Sequence, residues 1–184
     1  VDAAIEYVAD MRTELDTPLL ATLRPNDRNR ERRQELFERA LPLVDAVDIE
    51  VDAGIRDAIV ALARDHTVIV SEHDFDGMPD TSRLHEIADQ ADKAGADIVK
   101  IAGTARHAAD TVRLLEFCAR CPLPIVGIAM GETGALSRLL APLFGSLYTY
   151  SFIGNAVAPG QIPLNQLTAD IRRYYPAVRT DDAS

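Results

Sequence analysis

Asp97-Ile98-Val99-Lys100-Ile101-Ala102 reads as a buried β-strand with a lysine set inside it. An ammonium ion among apolar neighbours is unfavourable unless it is paired or loses its proton. Of the nineteen basic side chains only Lys93 and Lys100 are lysines; the other seventeen are arginines. Arginine stays protonated, whereas a buried lysine can become a nucleophilic amine. A chain that uses arginine almost everywhere yet keeps a lysine in an apolar strand points to a need for an amine there. One strand earlier, Val68-Ile69-Val70 runs into Ser71-Glu72-His73-Asp74-Phe75, which places His73 near a strand end. A lysine and a histidine on successive strands suggest Schiff-base chemistry with an acid/base partner.

Outward from this stretch, short apolar runs alternate with helical patterns. The expected strands are Pro18–Arg24, Ala46–Asp52, Thr67–Phe75, Asp97–Gly103, Pro124–Met130 and Leu147–Phe152. Amphipathic segments fill the gaps at Arg30–Leu41, Ala53–Arg64, Thr81–Ala94, Ala105–Ala119, Gly134–Leu143 and Leu164–Tyr174. A further helix is expected at Asp2–Leu15, where Ile5, Val8 and Met11 share a stripe. Strand centres about 20 to 30 residues apart match one βα unit each. Such units build a parallel sheet with right-handed crossovers.

An open doubly wound sheet and a barrel are the competing architectures. The first carries a Gly-rich turn after its first strand, and Arg24-Pro25-Asn26-Asp27-Arg28 has none. Arg24, Glu50, His73, Lys100 and Met130 stand toward the ends of different strands, as in a barrel. Period two puts Asp48 and Glu50 on one face of their strand. The expectation is an α/β fold of the TIM-type (β/α)8 class, with six of the eight strands visible and the N-terminal strands missing. Residues 1–184 are read as a single barrel domain, N-terminally incomplete, with a frayed tail at Thr180–Ser184. The start at Val1, without a methionine, hints at trimming or a missing start.

Net charge −10 and a pI near 4.8 argue against nucleic-acid binding, which needs a basic patch. No 18-residue apolar run is present, so a membrane span is not expected. Cys118 and Cys121 have no second pair for zinc and sit near the end of a helical segment, where a redox motif would want a helix N-terminus. They are read as plain reduced thiols, which with the absence of a visible leader suggests the cytoplasm. The acidic, lysine-poor surface fits salt-rich or high-GC origins alike.

The segments Leu19-Leu20-Ala21-Thr22-Leu23-Arg24, Val47-Asp48-Ile49-Glu50, Ser71-Glu72-His73-Asp74-Phe75 and Val99-Lys100-Ile101-Ala102 together resemble the type I 3-dehydroquinate dehydratase family. Met130-Gly131-Glu132-Thr133-Gly134-Ala135-Leu136-Ser137-Arg138 and Ala158-Pro159-Gly160-Gln161-Ile162 extend the resemblance in order and spacing. The resemblance implies a barrel, often a homodimer, that acts in the shikimate pathway on 3-dehydroquinate with no cofactor or metal. Lys100 then matches the Schiff-base lysine and His73 the acid/base histidine. Arg138 matches the arginine that grips the substrate carboxylate, and Gln161 a glutamine on the loop that closes over the substrate. Arg24 matches an arginine at the substrate's hydroxyl side, and Met130 an apolar residue of the pocket. Some of the family pattern is absent. The Glu-x-Arg pair that the family carries on a strand ahead of these segments is not in this chain, Pro25–Arg28 lacks the usual paired glycines, and Val157 stands where a serine is common.

Other readings set against these are a class I aldolase, which uses the same lysine chemistry, and a non-catalytic, barrel-derived binding or scaffold protein. An aldolase for phosphorylated sugars would want a Gly-rich phosphate cradle, for which Gly154 and Gly160 are slight support. His66, His85 and His107 are expected to be structural. For Glu50 a structural role, or one that orients Lys100, ranks ahead of binding a metal.

Overall fold

The computed structural model describes residues 2–175, and the tail expected at Thr180–Ser184 lies outside them. Five strands form one sheet: β1 (Leu20–Thr22), β2 (Ala46–Glu50), β3 (Thr67–Asp74), β4 (Ile98–Thr104) and β5 (Ile125–Met130). Their order is β1-β2-β3-β4-β5, without reversal. A doubly wound sheet reverses its order at a switch point, whereas consecutive order is that of a (β/α) barrel. The chain divides into two compact units, one of residues up to Glu72 with His85–Lys100, the other of His73–Leu84 with residues from Ile101 onward. β3 and β4 each contribute residues to both units.

In the first unit, helix α1 (Asp2–Glu14) precedes β1, helix α2 (Arg33–Ala40) joins β1 to β2, and helix α3 (Arg56–Leu62) joins β2 to β3. The pairs are parallel, with Thr22 opposite Asp48 and Glu50 opposite Ser71. Val47 and Ile49 of β2 are wholly buried, as are Leu36 and Phe37 of α2 and Ile59 of α3. Asp48, one step out of phase, is wholly buried too, because a parallel sheet covered on both faces has no solvent side.

β1 is shorter than the expected Pro18–Arg24. Its outer backbone groups find side-chain partners instead: Leu19 donates to Asp45 and the Leu23 carbonyl accepts from Arg33. The helix expected at Arg30–Leu41 opens with a 3-10 turn at Arg30–Arg32.

In the second unit, helix α4 (Thr81–Ala94) begins and helix α5 (Ala108–Cys118) lies between β4 and β5. All six residues of β5 are buried, and Leu114, Leu115, Phe117 and Cys118 cover it from α5. Helix α6 is only Ser137–Leu140, followed by a 3-10 turn at Ala141–Phe144 that contains Pro142.

The sixth strand differs from expectation. Leu147 donates to the Ile125 carbonyl and Ser146 forms one parallel bridge to Ile125, but the run then leaves β5. The Tyr148 carbonyl is taken by the Ser146 hydroxyl and the Tyr150 carbonyl by Arg138. Only Ser151–Phe152 (β6) is extended in a ladder, paired in parallel with Ile162–Pro163 (β7) just before helix α7 (Leu164–Tyr174). Side chains satisfy these backbone acceptors where a sixth strand of the sheet was expected.

Candidate active site

Lys100 is the third residue of β4 and only 6% exposed. Its Nζ donates to Asp48 Oδ2 at 2.9 Å. The other oxygen of Asp48 accepts from the Ser71 hydroxyl at 2.6 Å and from Arg24 Nη2 at 2.9 Å. Arg24 Nη1 lies 3.0 Å from Glu50 Oε1, and Glu50 Oε2 accepts from Arg33 Nη2 at 2.6 Å. In the first unit, therefore, charges alternate in sign along Lys100, Asp48, Arg24, Glu50 and Arg33.

The local sequence explains the placement of Arg24. Pro25 has no N–H with which to extend β1, and the chain turns at once. Asn26 and Asn29 close that turn reciprocally, the Asn26 side chain accepting from the Arg28 and Asn29 amides and the Asn29 side chain from the Asn26 amide. Asn29 also donates to the Arg24 carbonyl at 2.9 Å. Asp27, in the same turn, is exposed. Asn29 and Arg33 are the buried polar residues of this segment.

Burial alone would raise the pKa of Asp48. The charges of Lys100 and Arg24 and the hydrogen bonds from Ser71 and Lys100 outweigh it and hold the carboxyl below its ordinary value. Glu50 follows the same pattern, with burial opposed by the hydrogen bonds from Arg33 and Arg24. Sequence reasoning noted Asp48 only for sharing a face with Glu50. The missed signal was an acid between Val47 and Ile49, in an apolar strand two places from the one that carries a buried amine. Glu50 holds two arginines, as its expected structural role requires, and the carboxylate against Lys100 is Asp48.

The second unit carries the remaining expected residues. His73, the seventh residue of β3, stacks on Phe75 with ring centroids 6.4 Å apart and planes 21° from parallel. The turn beyond it is closed by Asp74, which accepts from the Asp76 and Gly77 amides. Met130 ends β5 and is 2% exposed.

Arg138 is also 2% exposed, and its guanidinium donates to three backbone carbonyls: Gly160 at 2.7 Å, Pro159 at 3.2 Å and Tyr150 at 3.4 Å. Burial pulls its pKa down. Gln161 turns its side-chain oxygen back on the loop, accepting from the Val157 amide at 2.7 Å and the Ala158 amide at 3.2 Å. Gly160, at φ 73°, lies so close to the Gly131 carbonyl that a Cβ there would collide with it. The Pro159 carbonyl accepts from the Gly131 amide at 3.3 Å. Arg138 and Gly131 thus hold one loop from two sides.

β/α units in unreversed strand order, with an amine buried beside a carboxylate, define a TIM-type (β/α) barrel enzyme chain that carries a strand lysine. The type I 3-dehydroquinase family model matches residues 1–174, and the chain belongs to that family. Its members are 3-dehydroquinate dehydratases, Schiff-base-forming carbon–oxygen lyases of the shikimate pathway. The 3-dehydroquinate dehydratase of Methanococcoides burtonii is 41% identical over 141 residues, covering 74% of this chain and 60% of the relative's length. That of Methanocella arvoryzae is 35% identical over 167 residues, covering 86% of this chain and 76% of the relative. Among solved structures, the type I enzyme from Clostridium difficile, crystallised with covalently modified comenic acid, is similar at a TM-score of 0.82 and 28% identity, covering 95% of this chain and 77% of that one.

Proposed function

We propose that this chain dehydrates 3-dehydroquinate to 3-dehydroshikimate, with Lys100 as the imine-forming amine and His73 as the proton shuttle. The single observation that carries this reading is the buried Lys100–Asp48 pair, 2.9 Å apart with Asp48 wholly buried. Lys100, once deprotonated, adds to the ring ketone and expels water, leaving an iminium ion. Asp48 is the counter-charge for the ammonium at rest and for the iminium that replaces it. The iminium draws electrons from the adjacent C–H bond, and His73 takes that proton. The resulting enamine pushes out the hydroxyl one carbon further on, which leaves as water with the proton returned by His73. Hydrolysis of the imine regenerates the amine and releases product, so the net change is loss of one water. Arg138 holds the substrate carboxylate, Arg24 the hydroxyl side, Gln161 the closing loop and Met130 the apolar wall. Support for a covalent step also comes from the covalently modified ligand of the Clostridium difficile relative.

The protein acts as a homodimer in the cytoplasm on this reading, and among the described residues no helix is long and apolar enough to cross a membrane. The decisive experiment is borohydride reduction in the presence of 3-dehydroquinate. Substrate-derived mass should appear on the peptide containing Lys100, and Lys100→Ala should abolish both label and turnover. His73→Ala should still take up label but turn over roughly 10²–10⁴-fold more slowly. Label on Lys93, or none on the native chain, would overturn the proposal.

A further inference from the structure

We infer that Arg33 is a positioning residue that acts on substrate through Arg24. This rests on the proposed role of Arg24 at the substrate's hydroxyl side. Arg33 is the first residue of α2 and 6% exposed. Its Nε donates to the Leu23 carbonyl at 2.8 Å, the backbone link immediately before Arg24. Its Nη2 donates to Glu50 Oε2 at 2.6 Å, and the other oxygen of Glu50 lies 3.0 Å from Arg24 Nη1. One planar side chain therefore fixes both the backbone from which Arg24 departs and the carboxylate that aims its guanidinium. A lysine has a single point charge and cannot supply two donors in a fixed fork.

The reason for such bracing lies in the segment itself. β1 stops at Thr22, and Arg24 stands beyond the last ladder pair, between Leu23 and Pro25. Its side chain is 35% exposed, so without support it would sample many rotamers, and each would reduce the fraction of the protein ready to bind. Asp48 alone cannot hold it, because that carboxylate is shared with Lys100 and Ser71. Glu50 supplies the second anchor. Glu50, with a side chain only 16% exposed, is itself oriented and neutralised by Arg33. Arg33 is thus part of the binding apparatus without touching substrate.

A double-mutant cycle on the full chain tests this. Arg33→Met should raise KM for 3-dehydroquinate about tenfold while leaving kcat and the yield of borohydride-trapped adduct at saturation near native. In an Arg24→Met background the same substitution should change KM less than twofold, because the residue through which it acts is gone. Arg33→Lys should fall between, and it serves as the folded comparison if Arg33→Met melts below the assay temperature. Equal factors in both backgrounds would make Arg33 a merely structural residue and overturn the inference. Failure of the native protein to form any adduct would instead strike the proposed reaction, and the two failures are read from different measurements.

Discussion

Asp48 keeps its charge at a position with no solvent contact, and its neighbours account for that at the level of single atoms. Its folded pKa lies below the ordinary 3.8, so beneath that value the native protein binds fewer protons than the unfolded chain. The stability this contributes is complete above 3.8 and is lost as the pH falls through the lowered folded value. Thermal midpoints of the native protein should therefore fall more steeply below about pH 4 than those of Asp48→Asn; parallel acid limbs would show that Asp48 is not the group responsible. At neutral pH, Asp48→Asn should weaken reductive trapping at Lys100, since the iminium then lacks its counter-charge. Lys100 and His73 stand out in the sequence because a cation in one apolar strand and a histidine near the end of another break the ordinary pattern. Asp48 and Arg33 do not. One acid in a strand that alternates with valine and isoleucine resembles a solvent-facing residue, and Arg33 stands among Arg28, Arg30 and Arg32 with nothing in the sequence to show that it alone turns inward.

Between helix α5 and strand β5 the packing is close enough that one methyl group matters. A Cβ on Gly127 would collide with the Cys118 sulfur. Gly127→Ala should destabilise the protein by about 1–3 kcal/mol, and Cys118→Ala in the same chain should restore much of the loss, which chemical denaturation can measure. Burial, with a smaller contribution from Cys121, pushes the Cys118 thiol up to about 12. Folded protein should then leave Cys118 unalkylated by iodoacetamide at pH 8, and denaturant should expose it; prompt labelling of the native chain would contradict the packing. Elements with strong patterns were placed well from sequence, helices α4 and α7 to the residue. The Leu147–Phe152 run was not, because the Ser146 hydroxyl just ahead of it and the Arg138 guanidinium from α6 take carbonyls that a ladder would use. Apolar periodicity carries no record of such partners.

Taken over its full length, the chain is an acidic molecule of net charge −10. Self-repulsion among surface carboxylates opposes compactness, and salt screens it as the Debye length drops from about 30 Å at 0.01 M to about 8 Å at 0.15 M. Its melting temperature at pH 7 should rise across that range, and a fall would mean that attractive surface pairs outweigh the net repulsion. The proposed homodimer predicts a sedimenting mass of twice 20.1 kDa. At this scale the sequence was most informative. The spacing of the βα units and the lack of a glycine-rich first turn anticipated consecutive strand order, which depends on chain geometry more than on any one side chain.

The three carbonyls on Arg138 have a kinetic consequence. The single Nε–H of Arg138 goes to the Gly160 carbonyl, so a substrate carboxylate that takes two parallel hydrogen bonds from the Nε–Nη2 edge must displace that acceptor. Occupancy of that edge by ligand and its bond to Gly160 are then mutually exclusive, so the 158–161 loop must let go of Arg138 before it closes over substrate, and its release sets a first-order limit on entry. In stopped-flow mixing the observed binding rate should level off as substrate concentration increases, at a plateau equal to the rate of loop release. Gly160→Ala, which cannot keep its seat against Gly131, should raise that plateau.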